Sequence, residues 1–265
     1  MTILVSCIYK DILEFIRNKK NVLCAGVLLL IGAMVLCTTL FFPSLIDQVM
    51  QKSPDIISDP GSINELMGKL FPSDVKGSMG ILSSDIGVFY TILIALSCGG
   101  IIPEERKSGR WIIPQNMGIN PFKILLSKCI VYGAGTAFPG IVIYNLYFYV
   151  ACYFLKVNHD WRMVIMSSLV LGLGIFSITV MTIMMSVIYN SGIVSALSVI
   201  VFIIAAPDIL SFFSFGKYFP TYVLTFLYTS DNHFEMLLIP ILTLVVCVVL
   251  MGAWARRKVN INGAT

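Results

Sequence analysis

Long stretches without charged residues dominate this chain and limit what it can fold into. A helix that crosses ~30 Å of hydrocarbon needs roughly 20 apolar residues. Hydrophobic residues make up 57% of the 265 residues and charged residues only 12%, which is outside the usual range of soluble domains. We therefore predict an all-α integral membrane protein with six transmembrane helices, at residues 21–42, 86–102, 124–155, 163–189, 193–207 and 236–255.

A single charge lies clearly inside these stretches. Lys128 falls near the start of the third one, whereas the other charges gather in the connections, as burial in hydrocarbon requires. Span 2 also carries small residues near its end, Ser97, Gly99 and Gly100, which permit close helix approach.

The basic residues predict the orientation, because cytoplasmic connections of membrane proteins are rich in lysine and arginine. They gather before span 1, between spans 2 and 3, and after span 6, which places both termini in the cytoplasm. The net charge of +4 would attract anionic lipid headgroups, so we do not expect a nucleic-acid partner. The residues concerned are Lys10, Arg17, Lys19, Lys20, Arg106, Lys107, Arg110, Lys123, Arg256, Arg257 and Lys258.

Residues 1–20 form the first segment of a single transmembrane domain that covers residues 1–265. They predict an amphipathic helix at the membrane interface, which either anchors the chain to the surface or contacts a cytoplasmic partner. Its apolar side is expected to hold Val5, Ile8, Ile12 and Phe15, and its polar side Lys10, Glu14 and Arg17.

Two segments are expected outside the membrane on the opposite side: a long loop at 44–85 and a shorter segment at 208–235 before span 6. Asp85 and Asp208 stand at the predicted outer ends of spans 2 and 5. They are either helix-end residues in contact with water or residues at the mouth of a translocation path.

Residues 103–123, between spans 2 and 3, concentrate charges at 104–110 and continue with a stretch interrupted by proline and glycine. Such a segment would lie along the cytoplasmic surface, with Trp111 at the interface and the charges facing a soluble partner. An ordinary basic cytoplasmic loop would have the same composition.

This segment resembles the signature of ABC-2 type transporter permeases, the membrane subunits of ABC exporters. That signature has a glutamate, a glycine four residues later, a hydrophobic residue, and a glycine–lysine pair that opens span 3. Glu105, Gly109, Trp111 and Lys128 stand at the matching spacing. The chain departs from the signature at four positions: Arg110 replaces threonine, Pro114 leucine, Gly118 proline and Ser127 glycine.

The resemblance implies a coupling helix that docks into a groove on a separate cytoplasmic P-loop ATPase. Trp111 and Ile112 would pack against lipid or the partner, and the polar contacts would come from Glu104, Glu105, Arg106 and Arg110. The resemblance also implies a second permease copy, identical or similar, and the export of a peptide, a drug or a lipid-like molecule. An immunity role against antimicrobial peptides would use the same machinery.

The chain lacks the G-x-x-x-x-G-K-[ST] motif that cradles nucleotide phosphates, so ATP would be bound and hydrolysed by the partner subunit. We expect no enzyme activity, cofactor or metal in this subunit, since His159 and His233 are isolated and the seven cysteines are scattered. An intramembrane enzyme, a passive channel or a sensor subunit are the alternatives. The isoleucine-, asparagine- and lysine-bearing composition hints at a low-GC bacterium, and hence at the bacterial plasma membrane.

Overall fold

The computed structural model describes residues 3–52, 74–110, 118–156, 161–211 and 233–262, and every regular element in these residues is helical. A π-helical turn at Ile86–Tyr90 joins the third helix to the fourth. The helices are α1 (Ile3–Arg17), α2 (Lys19–Lys52), α3 (Val75–Asp85), α4 (Thr91–Cys98), α5 (Ile101–Lys107), α6 (Pro121–Leu155), α7 (Trp161–Ile188), α8 (Gly192–Ser211) and α9 (His233–Asn262).

Four helical stretches in the described residues are long and apolar enough to cross a membrane: Asn21–Phe41, Val75–Lys107, Pro121–Leu155 and Trp161–Ile188. They correspond to the first four predicted spans, and the chain is therefore a membrane-embedded helical protein. Predicted spans 5 and 6 fall in α8 and α9, whose described apolar parts, Gly192–Ile203 and Leu238–Ala253, are shorter. Six spans therefore stay a prediction.

Helix α7 forms the centre of the bundle, packed against α6, α9, α8 and α4. Its apolar residues surround the whole helix, and from Val170 to Val187 every residue is buried or partly buried, whereas its first turns are partly exposed. Most of its hydroxyl side chains bond to carbonyls of the preceding turn, as Thr182 does with Ile178 O at 2.8 Å; Ser167 Oγ is the exception among the described hydroxyls of α7. These local bonds satisfy polar groups that would otherwise be unpaired in an apolar interior.

The second membrane-crossing stretch differs from the prediction. It begins at Val75 and not at residue 86, and α2 continues to Lys52, so both ends of the expected loop at 44–85 are helical. Asp85 is therefore not at the outer end of this stretch, since about 15 Å of helix precedes it. The prediction stopped at charged residues, whereas helical hydrogen bonds continue past Asp85 and into the π-helical turn.

Gly99 and Gly100 form a short step between α4 and α5, and this step packs against α8. A Cβ atom on Gly192 of α8 would lie 2.7 Å from Gly100 Cα, and one on Gly99 would lie 3.0 Å from Ala196 N. The prediction of close helix approach by small residues near the end of span 2 is confirmed at these two glycines.

Helix α1 is amphipathic as predicted, but its faces are assigned differently. The side packed against α6 carries Asp11, which is buried, and the partly buried Phe15 and Glu14. Ile12, by contrast, is exposed and belongs to an apolar outer side with Val5, Tyr9 and Ile16. The expected polar face was therefore wrong for Glu14, which is partly buried beside Lys128. Val5 and Ile12 are exposed apolar residues, so their contact with a membrane surface stays a prediction.

We predict that Gly192→Ala lowers stability by about 1–3 kcal/mol, because the new methyl group meets the Gly100 backbone and not a movable side chain. The matched control is Gly26→Ala, where an added Cβ atom meets nothing within 4 Å. The midpoint of thermal unfolding in detergent measures both. Equal midpoints for the two variants would contradict the close packing of α4, α5 and α8.

Candidate functional site

A cluster of charged and polar side chains, most of them buried, joins α1, α5 and α6. The cluster consists of Asp11, Glu14, Glu105, Ser127 and Lys128, and we call it the charge cluster. Its central cation is Lys128, whose side chain is fully buried. The Lys128 ammonium donates hydrogen bonds to Glu105 Oε1 at 2.8 Å and to Asp11 Oδ1 at 3.0 Å.

The Lys128 ammonium has three protons to donate, and a third carboxylate, that of Glu14, also lies near it. Glu14 Oε2 lies 3.8 Å from Lys128 Nζ, within ion-pair distance, and makes no hydrogen bond to any described residue. The Ser127 hydroxyl donates to the second carboxylate oxygen of Asp11. Because an unpaired buried charge is strongly unfavourable, Lys128 can be buried here only with its carboxylates.

The start of α6 fixes where Lys128 stands. Asn120 caps the helix, since its side chain accepts a hydrogen bond from Phe122 N at 2.9 Å, and Pro121 follows at a position that suits its missing N–H. Lys128 is therefore two turns into α6, on the side that faces α1. Its ammonium also lies 5.9 Å from the centre of the Tyr132 ring.

Aromatic packing holds α1 beside the cluster. Phe15 meets Tyr132 edge to face, with ring centroids 5.3 Å apart, and its ring also covers Gly135, where a larger residue would leave no room for it. Asn21 closes the bend between α1 and α2 through a hydrogen bond from its Nδ2 to Phe15 O at 2.9 Å. Helix α1 is thus held on α6 by the ion pair between Asp11 and Lys128 and by the packing of Phe15 against Tyr132.

Two exposed cations balance the carboxylates at the rim. Lys10 lies 3.7 Å from Glu105 and Arg110 lies 3.4 Å from Glu14, with 53% and 64% of their side chains exposed. Exposed pairs of this kind contribute little to stability. They do connect the buried cluster to the surface, where a partner protein could displace them.

The residues that the sequence predicted to contact an ATPase lie on α5 and in the turn after it. Some of them are buried inside the bundle and not exposed as predicted. Glu105 is buried against Lys128, so the expectation that it contacts a partner is corrected. Arg106 reaches the end of α7, where its Nη2 donates to Val187 O at 2.9 Å. Gly109 has φ +71°, a conformation that favours glycine, and it ends this segment after α5.

Glu104 and Arg110 are the predicted contact residues that are exposed. They line an open groove of about 790 Å³ together with residues of α1 and the bend that follows it: Ser6, Tyr9, Lys10, Leu13, Glu14, Arg17 and Asn18. Trp111 and Ile112 lie outside the described residues, as does the Asp208 side chain. Asp85 is remote from this groove and lies beside α2.

Asp11 and Glu14 are the cluster residues that the sequence interpretation missed. One signal was present, because a lone lysine inside an apolar stretch requires a carboxylate partner. A second was that Asp11 falls on the helical stripe of Cys7, Ile8 and Phe15, which is otherwise apolar. Within the described residues, no group of three or more histidine, cysteine, aspartate or glutamate side chains could hold a metal ion.

Comparisons with known proteins add no family to this description. No model of a known protein family matches the chain, and no significantly similar curated protein was found.

We predict that Lys128→Met destabilises the protein by about 3–5 kcal/mol, because it leaves buried carboxylates without their cation. Lys123→Met is the matched control, since Lys123 is exposed on the same helix. The midpoint of thermal unfolding in detergent should be lower for Lys128→Met than for Lys123→Met. Adding Glu105→Gln to Lys128→Met should recover part of the loss, and a Lys128→Met protein as stable as the control would disprove the cluster.

Proposed function

We propose that this chain is the membrane subunit of an ATP-driven exporter of the ABC-2 type, which works with a separate cytoplasmic ATPase. The observation that carries the proposal is the Glu105–Lys128 ion pair. These two residues stand at signature positions in the sequence, and they bond directly to each other across 2.8 Å in the fold. Two residues that define the signature spacing thus form an ion pair that links α5 to α6.

A coupling device must transmit force from a soluble partner to the membrane helices, and the charge cluster suits this role. Moving α5 away from α6 would break the short bond between Glu105 and Lys128, which is unfavourable for buried charges. Asp11 is bonded to the same ammonium, so α1 follows too. We therefore expect α1, α5 and the first turns of α6 to move as one body.

Further contacts would carry that movement into the bundle. Arg106 ties α5 to the end of α7 through Val187 O, and the Gly99–Gly100 step rests on α8. The step is the point where α5 would tilt against α4. A displacement of α5 would thus reach the central helix α7 and predicted span 5, as a switch between inward-open and outward-open states requires.

The groove beside α1 and α5 is the surface that we assign to the ATPase. Its exposed charges include both signs, with Glu104 next to Arg110 and Lys10. Mixed charges of this kind favour a specific orientation of a soluble partner. Because the basic residues lie at this end, the positive-inside rule places it in the cytoplasm, where a P-loop ATPase would be found.

The remaining parts of the proposal follow from the resemblance. Two permease copies, identical or similar, would form the translocation path in the plasma membrane of a bacterium. ATP binding would draw two ATPase subunits together and rock the copies against each other. The cargo would be a peptide, a drug or a lipid-like molecule, either exported or expelled from the membrane as an immunity function.

We expect the chain, purified gently from its native membrane, to bring a P-loop ATPase with it and to show ATPase activity. Arg110→Glu should reduce the co-purified ATPase at least tenfold, because it reverses a charge on the docking groove. Asp74→Lys is the control, an exposed residue next to α3 with the same size of charge change. Mass spectrometry and an ATPase assay of the eluates measure the outcome.

Equal ATPase recovery from the Arg110→Glu and Asp74→Lys proteins would remove the groove from the proposal. If the wild-type chain brings no ATPase under gentle detergent, the exporter loses its source of energy. The intramembrane enzyme, channel and sensor alternatives would then take its place.

A further inference from the structure

A second cavity lies far from the charge cluster, between α2 and the π-helical turn. It is an open groove on the outer side of the described helices, and Met34 and Phe89 in its lining are largely exposed. Its volume is about 380 Å³, within the range of small-molecule sites. All but one of its lining residues are apolar, and the exception is Asp85. The apolar residues are Val27, Ile31, Met34, Phe89, Ile92 and Leu93.

Asp85 is the unusual member of this lining. It is half-buried within the second membrane-crossing stretch, and no side chain in the described part of the chain forms an ion pair with it. Acidic residues inside membrane-spanning segments are rare, and they typically pair with a cation or line a functional path. The Asp85 carboxylate in this apolar lining is therefore a candidate binding group for a cation.

The π-helical turn at Ile86–Tyr90 forms part of the wall of this cavity through Phe89. Wider turns of this kind are frequently found at functional sites. Here the buried Thr91 hydroxyl donates to the carbonyls of Gly87 and Val88, at 2.6 Å and 3.0 Å, and the Thr91 backbone N–H also donates to Val88 O. The turn follows Asp85 directly and carries Phe89, so it places the carboxylate and an aromatic ring on the same cavity.

We propose that this cavity binds an organic cation with an apolar body. Asp85 would pair with the positive group, and the ring of Phe89 adds a surface that attracts cations. Ile31, Ile92 and Leu93 would contact the apolar part. Anionic lipids and other anions would be repelled by the carboxylate. The site needs no nucleotide and no ATPase, so it stands independently of the exporter assignment.

Tetraphenylphosphonium is a suitable probe because it joins a positive charge to a rigid apolar body. Purified wild-type protein in detergent should bind it saturably in equilibrium dialysis. Asp85→Asn should weaken the binding at least tenfold, whereas Asp74→Asn, which removes an exposed carboxylate next to α3, should leave it unchanged. Triphenylphosphine oxide, a neutral analogue, should bind the wild type and Asp85→Asn equally.

A second pair of variants tests the cavity itself. Ile31→Trp should fill it and abolish binding, whereas Leu30→Trp, next to it on α2 but outside the lining, should bind normally. Unchanged affinity in Asp85→Asn overturns the proposal. So does loss of the neutral analogue together with the cation, because Asp85 would then only maintain the shape. A wild type that binds no cation, while Phe89→Cys crosslinks two copies, overturns it in favour of a subunit interface.

Discussion

The buried ammonium of Lys128 determines how one end of this membrane protein is assembled. A lysine without solvent needs negative partners, and three different helices supply or support them: Asp11 and Glu14 from α1, Glu105 from α5 and Ser127 from α6 itself. Hydrophobic packing has no preferred direction, but these bonds do. They fix the rotation of α1 about its axis and the depth of α5 beside α6.

Helix α1 consequently has three sides with different surroundings. One side carries Asp11 and Phe15 against α6, one exposes Tyr9, Ile12 and Ile16, and the third carries Lys10 and Arg17. A helix at the membrane surface meets protein, lipid and water at once, and this arrangement suits all three. The helix is therefore a structural part of the bundle, and its role as an anchor at the membrane surface stays a prediction.

The sequence was enough to predict four membrane-crossing helices and the amphipathic nature of α1, because both depend on hydrophobicity at a known period. It also selected Glu105 and Lys128. It could not show that they bond to each other or to Asp11, because periodicity assigns a face to a helix without saying which element covers that face. Glu14 and Glu105 were therefore assigned to the surface, although the fold turns both toward Lys128.

Asp85 illustrates a different limit. Windows of uncharged residues end at any carboxylate, so the second span was predicted too short, and the cavity beside Asp85 could not be foreseen. The π-helical turn leaves no comparable trace in the sequence, since its residues are ordinary apolar ones. Its position depends on the packing of α3 and α4 against α2.

The spread of the cluster along the chain also sets an order for its biogenesis. Asp11 is made first, Glu105 follows much later, and their common cation comes 23 residues after Glu105. During synthesis the carboxylates of α1 and α5 are therefore made before their common cation, and the cluster can form only after the start of α6 has been made. Completion of the charge cluster thus requires that α1, α5 and the start of α6 come together at the same end of the helical bundle, because Lys128 bonds directly to Asp11 and Glu105.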